Sequence, residues 1–247
     1  MTEQKPERSP SAAREKYRNS WINRSVNGVI GWYLAACASL RERRMSRLDA
    51  EWISELASKS GLLINIGSSS LVLDGWVNAD LRRDTSARCL AFDATQRWPF
   101  ESNAARAVNS EHFIEHLTLD GARAYLAEAF RVLEPGGVLR TSTPDLAAIC
   151  NAYMAHDSKG LAAHREQGWF APTHAAMLNN YFAGCDHVVV YDLELLTLLL
   201  SETGFDQIES LAFGESTHPP LQGIDGHSLG ELQGLAMAVE ARKPILD

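Results

Sequence analysis

The sequence predicts a doubly wound α/β fold, a mostly parallel sheet with helices packed on it, and three observations carry that prediction. A continuous apolar run, Leu62–Ile66, ends in Gly67 and three serines. Strand-like and helix-like segments alternate from there onward. Two aspartates, Asp80 and Asp93, follow directly on the next strand-like runs.

Taken in order, Leu62–Ile66 lacks apolar/polar alternation, as expected of a parallel strand covered on both faces. Residues 76–81 and 88–92 are short strand candidates, and residues 105–109 are another. Ala122, Leu126, Ala129, Phe130 and Leu133 recur at helical spacing across residues 119–133, and Pro135-Gly136-Gly137 stops that helix. Residues 138–143 return to strand. Asp192 is placed to cap a helix that runs to about Thr203 and ends at Gly204. Residues 205–213 and 235–241 then read as closing strands. Residues 156–186, rich in His, Trp and Phe, form an insertion between the fifth strand and the next helix. No internal repeat or low-complexity tract is present.

At 247 residues the chain can bury one substantial core with an appendage. The expected organisation is a disordered tail over residues 1–20, a helical extension over 21–60 and the α/β domain over 61–247. A net charge of −8 argues against a general nucleic-acid binder, because phosphate neutralisation needs a basic face. Cys37, Cys89, Cys150 and Cys185 lie far apart without a CxxC pair, which suits buried thiols in a reducing compartment better than disulfides or zinc. The first twenty residues are polar and charged, unlike a signal peptide, so a cytoplasmic protein is expected.

Residues 21–40 are fairly apolar, but Asn23, Arg24 and Asn27 interrupt them, and a membrane-spanning helix needs about 20 predominantly apolar residues. A helix carrying Trp21, Trp32 and Tyr33, followed by Arg41, Arg43, Arg44 and Arg47, could lie on an anionic membrane surface as a peripheral contact. The favoured reading is a helix that packs over the domain. The oligomeric state is not encoded in any pattern found here.

Ligands of open α/β sheets sit outside the carboxyl ends of the strands. Gly67, without a Cβ, lets backbone approach a ligand there. Ser68 and Ser69 add small hydroxyls, and Asp80 can accept hydrogen bonds from both hydroxyls of a ribose. His112-Phe-Ile-Glu-His116 matches the H-x-x-E-H arrangement that presents two histidines to zinc. Its place between a strand and a Pro-Gly-Gly turn speaks for another use, and no metal ligand set is expected. Glu115 and His116 are expected to buttress the start of the following helix. Asp145, after Thr143-Pro144, either projects toward the ligand or caps a helix.

Several of these segments resemble the class I S-adenosylmethionine-dependent methyltransferases, and among them the type 11, ubiquinone/menaquinone-methyltransferase-like group. The resemblance spans about residues 61–213. It lies in Asn65-Ile-Gly67 through Gly75-Trp-Val-Asn-Ala-Asp80, in Ser110–Leu117, in Phe130-Arg-Val-Leu-Glu-Pro-Gly-Gly137, and in Tyr191-Asp192 through Gly204-Phe205. It implies a seven-stranded Rossmann-like methyltransferase sheet with an antiparallel final strand, and S-adenosylmethionine as cofactor. By the same resemblance Asn65, Gly67, Ser68, Ser69, Asp80 and Leu81 hold the methionine and ribose parts. Asp93 and Ala94 would hold the adenine, and Ser110 would form the wall beside the methionine. The serine-rich loop departs from the family's three-glycine pattern, so a catalytically degenerate scaffold is the alternative to an enzyme. A nicotinamide-binding Rossmann protein is disfavoured, since no G-x-G-x-x-G follows the first strand.

The expected activity is methyl transfer to a small-molecule acceptor, such as a hydroxyl of a sugar or other metabolite. The sulfonium is already activated, so the protein mainly aligns the reactants. A hydroxyl acceptor also needs a base, and His112 is the first candidate. His187, before Val188-Val-Val-Tyr191, could border the acceptor pocket. Trp169, Phe170, Tyr181 and Phe182 could stack on the acceptor or form the insertion's own core.

Overall fold

The computed structural model describes residues 50–56, 59–69, 71–81, 89–166, 168–184, 186–225 and 234–245. The expected tail and nearly all of the helical extension therefore lie outside the described residues, as do Cys37 and Cys185. The chain divides into two compact units, residues 1–52 and 53–247. Of the first, only residues 50–52 are described, and they are helical. The second contains the sheet.

Seven strands form that sheet: β1 (Leu62–Ile66), β2 (Val77–Asp80), β3 (Cys89–Ala91), β4 (Ala105–Glu111), β5 (Leu133–Pro144), β6 (Asp206–Leu211) and β7 (Ala236–Arg242). Their order is β3-β2-β1-β4-β5-β7-β6. Neighbours from β3 to β5 are parallel, and β7 lies antiparallel between β5 and β6. The predicted fold class is therefore the observed one.

Among the described residues, besides the helical stretch 50–56, five α-helices follow: α1 (Leu119–Val132), α2 (Leu146–Met154), α3 (Ser158–Glu166), α4 (His174–Ala183) and α5 (Leu193–Thr203). Local chemistry sets their ends. Thr118 accepts a hydrogen bond from Gly121 N to start α1, and Asp192 accepts one from Leu195 N to start α5. Gly204, at φ +106°, closes α5 in the left-handed conformation that glycine adopts without strain. α1 buries Ala122, Leu126 and Ala129 of the predicted face together with Tyr125 and Val132, while Phe130 is half-buried and Leu133 already begins β5. Asp145 caps α2 through Ala147 N, so of its two readings the capping one is observed.

The chain departs from a doubly wound pattern in two links, of which residues 92–104, between β3 and β4, contain no helix. The described residues of the link from β1 to β2 contain no helix, whereas parallel strands are usually joined through one. Side chains from the strands hold the link instead. Asn65 Nδ2 donates to Leu71 O and to Asn78 Oδ1, both at 3.0 Å. Asn78 accepts from Leu73 N and donates to Leu73 O, each at 2.9 Å. Asn109 Nδ2 donates to Asn65 Oδ1 at 3.0 Å.

These asparagines belong to a polar row that crosses the sheet in register: Asn78, Asn65, Asn109, Arg140 and Glu240. All five are buried. Arg140 donates to Asp225 at 3.0 and 2.6 Å, to Glu240 at 2.8 Å and to Glu215 O at 3.0 Å. Burial by itself would lower the guanidinium pKa, but the two carboxylates raise it, so Arg140 stays charged. The loop that supplies Asp225 also packs Leu221 on Ala107 and Val138.

The insertion folds into α3 and α4. Its His164 ring stacks against Trp169 and Tyr181, with centroids 6.0 and 5.2 Å away. Tyr181 thus packs against the insertion's own core, while Trp169 and Phe182 are exposed in part and Phe170 is 81% exposed. Cys89 is a buried thiol, as expected; Cys150 is an exposed thiol, unlike the buried one expected there. No helix among the described residues is long and apolar enough to cross a membrane.

Candidate functional site

The carboxyl ends of β1, β2 and β3 open into one cleft. Ile66, Gly67, Ala79, Asp80, Leu81, Phe92, Asp93, Ala94, Phe113 and Leu117 line it. Five residues singled out from the sequence, Gly67, Asp80, Leu81, Asp93 and Ala94, therefore meet in a single cavity.

Gly67 has φ +69°, and a Cβ there would stand 2.6 Å from Phe113 Cδ2. Both the backbone conformation and the close approach of the ring call for glycine. Phe113 is itself positioned by Tyr125, with ring centroids 5.1 Å apart. Ser69 N donates to Asp80 Oδ2 at 2.9 Å, which fixes the loop against the strand end. Asp93 Oδ1 accepts from Thr95 N and Thr95 Oγ1 at 2.9 and 2.7 Å, a turn that holds Ala94 in the wall.

The other predicted residues are placed differently. Asn65 and Ser68 line a small adjoining cavity with Gly67, Leu71, Leu73, Asn109, Glu111 and Ile224. Asn65 spends its side chain on the polar row, and Ser68 Oγ lies 3.5 Å from Cys89 Sγ. Ser110 lines neither cavity. Its hydroxyl donates to Thr141 Oγ1 and accepts from Tyr125 OH, both at 2.9 Å, on the face covered by α1. Burial pushes the Tyr125 phenol well above its usual value, against the pull of Ser110, so it remains a neutral donor.

His112 follows β4 with φ +48°, a left-handed conformation that is uncommon for a non-glycine residue. Its backbone N–H donates to Ser142 O at 2.9 Å, which holds it there. His112 Nδ1 lies 3.0 Å from Glu115 Oε1, and Glu115 Oε2 accepts from Thr143 Oγ1 at 3.0 Å. Glu115 is fully buried, and its backbone oxygen accepts from Val188 N and Val189 N. It thus ties the turn after β4 to β5 and to the segment before α5, rather than buttressing the start of α1, which Thr118 caps. Burial, and after it the Glu115 charge, pushes the Tyr191 phenol up to about 12.

Residues 61–141, which contain this cleft, match a protein family described as a methyltransferase domain. In that stretch the chain is similar to a methyltransferase domain. The cleft has features that suit a nucleoside ligand. Backbone approaches closely at Gly67, a carboxylate stands at the end of β2, and apolar walls rise at Phe92, Phe113 and Leu117.

No curated protein matches the chain. Among solved structures, a SAM-dependent methyltransferase from Archaeoglobus fulgidus is 15% identical, over 82% of this chain and 94% of that one, with a TM-score of 0.45. The CurJ carbon methyltransferase is 13% identical over 76% of this chain, with a TM-score of 0.46, and this chain spans 50% of its length. The Haemonchus contortus phosphoethanolamine N-methyltransferase 2, solved with phosphomonomethylethanolamine and S-adenosylhomocysteine, is 14% identical over 76% of this chain and 50% of its own, with a TM-score of 0.37. The similarity to a methyltransferase domain rests on the family match, not on these three likenesses.

Proposed function

We propose that the protein transfers the methyl group of S-adenosylmethionine to a hydroxyl of a sugar or another small metabolite, with His112 as the base. The observation that carries the choice of base is the 3.0 Å contact between His112 Nδ1 and the buried Glu115 carboxylate. A carboxylate accepts only, so Nδ1 carries the proton and Nε2 is left as the basic atom. The pair has the arrangement of a base held in one tautomer by a second group.

In this reading Gly67 and Ser69 shape the loop beside the methionine part, with Asn65 and Ser68 supporting it from the adjoining cavity. Asp80 accepts from the ribose hydroxyls, while Leu81, Asp93 and Ala94 border the adenine. The bound cofactor supplies an electrophilic methyl on a sulfonium. When the methyl is passed to the acceptor oxygen, His112 would take up the hydroxyl proton. The proton then returns to solvent. Phe113, next to His112, excludes water from the line of attack. Exposed Phe170 and Phe182 of the insertion are offered as the outer wall for the acceptor.

The test pairs calorimetry with S-adenosylhomocysteine and a screen of hydroxylated metabolites with a labelled methyl donor. We expect micromolar binding of the homocysteine product and transfer to one acceptor class. His112→Ala should lower turnover about 10²–10⁴-fold and change cofactor affinity less than twofold. Unchanged turnover discards His112 as the base. A folded wild type that binds no cofactor product points instead to a non-catalytic scaffold.

A further inference from the structure

His116 and His187 are far apart in the chain, yet their rings meet with centroids 5.2 Å apart and planes inclined by 65°. Beside them stands Glu115. One donor atom from each of these three residues falls within 4.8 Å of the other two. They form the only such metal-competent group of His, Cys, Asp and Glu among the described residues.

What surrounds the three side chains narrows their use. His116 Nδ1 lies 3.2 Å from Asp186 O, and His187 Nδ1 lies 2.9 Å from Tyr181 O. A carbonyl can only accept, so each Nδ1 bears a proton and Nε2 is the nitrogen that can ligate a metal. Each ring is thus oriented through its Nδ1 hydrogen bond. Histidines that bind a metal through one nitrogen ordinarily donate the other N–H to a carbonyl or carboxylate. Glu115 completes the parallel, since His112 Nδ1 and Thr143 Oγ1 fix its two oxygens at 3.0 Å each. All three candidate ligands therefore have the outer hydrogen bonds that a metal centre requires of its ligands.

We infer that Glu115, His116 and His187 form a divalent-metal site of the zinc class, with its remaining positions open to water or to a substrate oxygen. Two imidazole nitrogens and one carboxylate oxygen suit a borderline first-row ion better than magnesium or calcium, which take oxygen ligands. At metal–ligand distances of about 2.0–2.1 Å, tetrahedral neighbours stand about 3.4 Å apart. From separations of up to 4.8 Å the donors need to close by up to about 1.4 Å, which exposed His116 and half-buried His187 can do by side-chain rotation. The ion would also balance the buried Glu115 carboxylate. Phe113 and Leu117, on either side of the turn Ile114–His116, line the cofactor cleft. The site thus lies next to that cleft without sharing its lining residues. Metal binding itself does not depend on the methyl-transfer reading.

The experiment uses the full chain, stripped of metal with a chelator and titrated calorimetrically with Zn²⁺, and separately with Co²⁺ while visible absorption is followed. The expected result is one ion per chain at micromolar or tighter affinity, with the intense visible bands of low-coordinate Co²⁺. His116→Ala and His187→Ala should each weaken binding at least about 10-fold, while His218→Ala leaves it unchanged. Circular dichroism confirms that the variants are folded, and neither histidine is needed by the core. Should either fail to fold, His187→Gln and His116→Gln replace them. Absence of stoichiometric binding overturns the site, and so does binding indifferent to either histidine. S-adenosylhomocysteine binding, measured on the same samples, reports separately on the methyltransferase reading.

Discussion

The side chain of Asp80 accepts the backbone N–H of Ser69 at 2.9 Å, so the residue that ends β2 also holds the loop that leaves β1. One carboxylate therefore stands at the cleft and organises the turn beside it. Asp80→Ala removes both functions. It should weaken S-adenosylhomocysteine binding by at least about 10-fold, the equivalent of about 1.4 kcal/mol. Asp80→Asn, which keeps an acceptor for Ser69, should recover part of that loss. Calorimetry with the two variants checks this, and equal losses would show that loop anchoring is not part of the effect.

Gly67→Ala tests the tight approach of Phe113. The new methyl would combine φ +69° with a 2.6 Å contact to the ring. A cost of about 1–3 kcal/mol is expected, together with weaker cofactor binding, because the loop or the ring must shift. Chemical denaturation with a cofactor titration measures both. Gly75→Ala, whose added Cβ meets nothing within 4 Å, is the matched control for positive φ alone.

Arg140→Met probes the buried row across the sheet. The substitution leaves Asp225 and Glu240 facing each other's field without their cation. The expected destabilisation is about 3–5 kcal/mol, as for removing one partner of a buried ion pair. Urea denaturation reads it out. A loss below about 1 kcal/mol would mean that water reaches the two carboxylates.

Glu128 supplies a dependence on pH. Burial would raise its carboxyl pKa, but hydrogen bonds from Arg131 and from Trp98 N–H, with the charges of Arg131 and Arg97, hold it below its usual value. A depressed carboxylate contributes stability above its ordinary pKa, and that contribution fades as pH falls through the folded-state value. Glu128→Gln should therefore cost on the order of 1–2 kcal/mol at pH 7, and the two proteins should converge in acid. Melting temperatures at a series of pH values decide it; a pH-independent difference would assign the loss to packing.

Much of this arrangement could be read from residue order. The apolar run of β1, the cap at Asp192, the left-handed Gly204 and the buried face of α1 follow from short-range rules, and the structure repeats them. Asp80 and Asp93 reach the cleft because strand ends in such a sheet face one side. Ser110 shows where that reasoning stops. It also ends a strand, but side chains alternate across the sheet, and its turn falls on the α1 face with Tyr125.

That the described residues between β1 and β2 contain no helix was invisible for a related reason: nothing in residues 67–76 announces that Asn65 and Asn78, on the two strands the link joins, take over its hydrogen bonds. His187 reaches Glu115 and His116 only because the insertion returns the chain to the end of β5. The H-x-x-E-H pattern presents His112 and His116, not Glu115 and His116, to zinc, and His187 joins the latter pair only through tertiary structure.

The position of β7 bears on how the protein is made. Its seat between β5 and β6 means that β5 has an unpaired edge until residues 236–242 exist. All of residues 145–235 must be synthesised first, on the order of ten seconds at about 5–20 residues per second. Until then β5 can pair with any strand that drifts past, including one from another nascent chain. Aggregation during expression should accordingly be governed by this delay, and slower translation after β5 should worsen it.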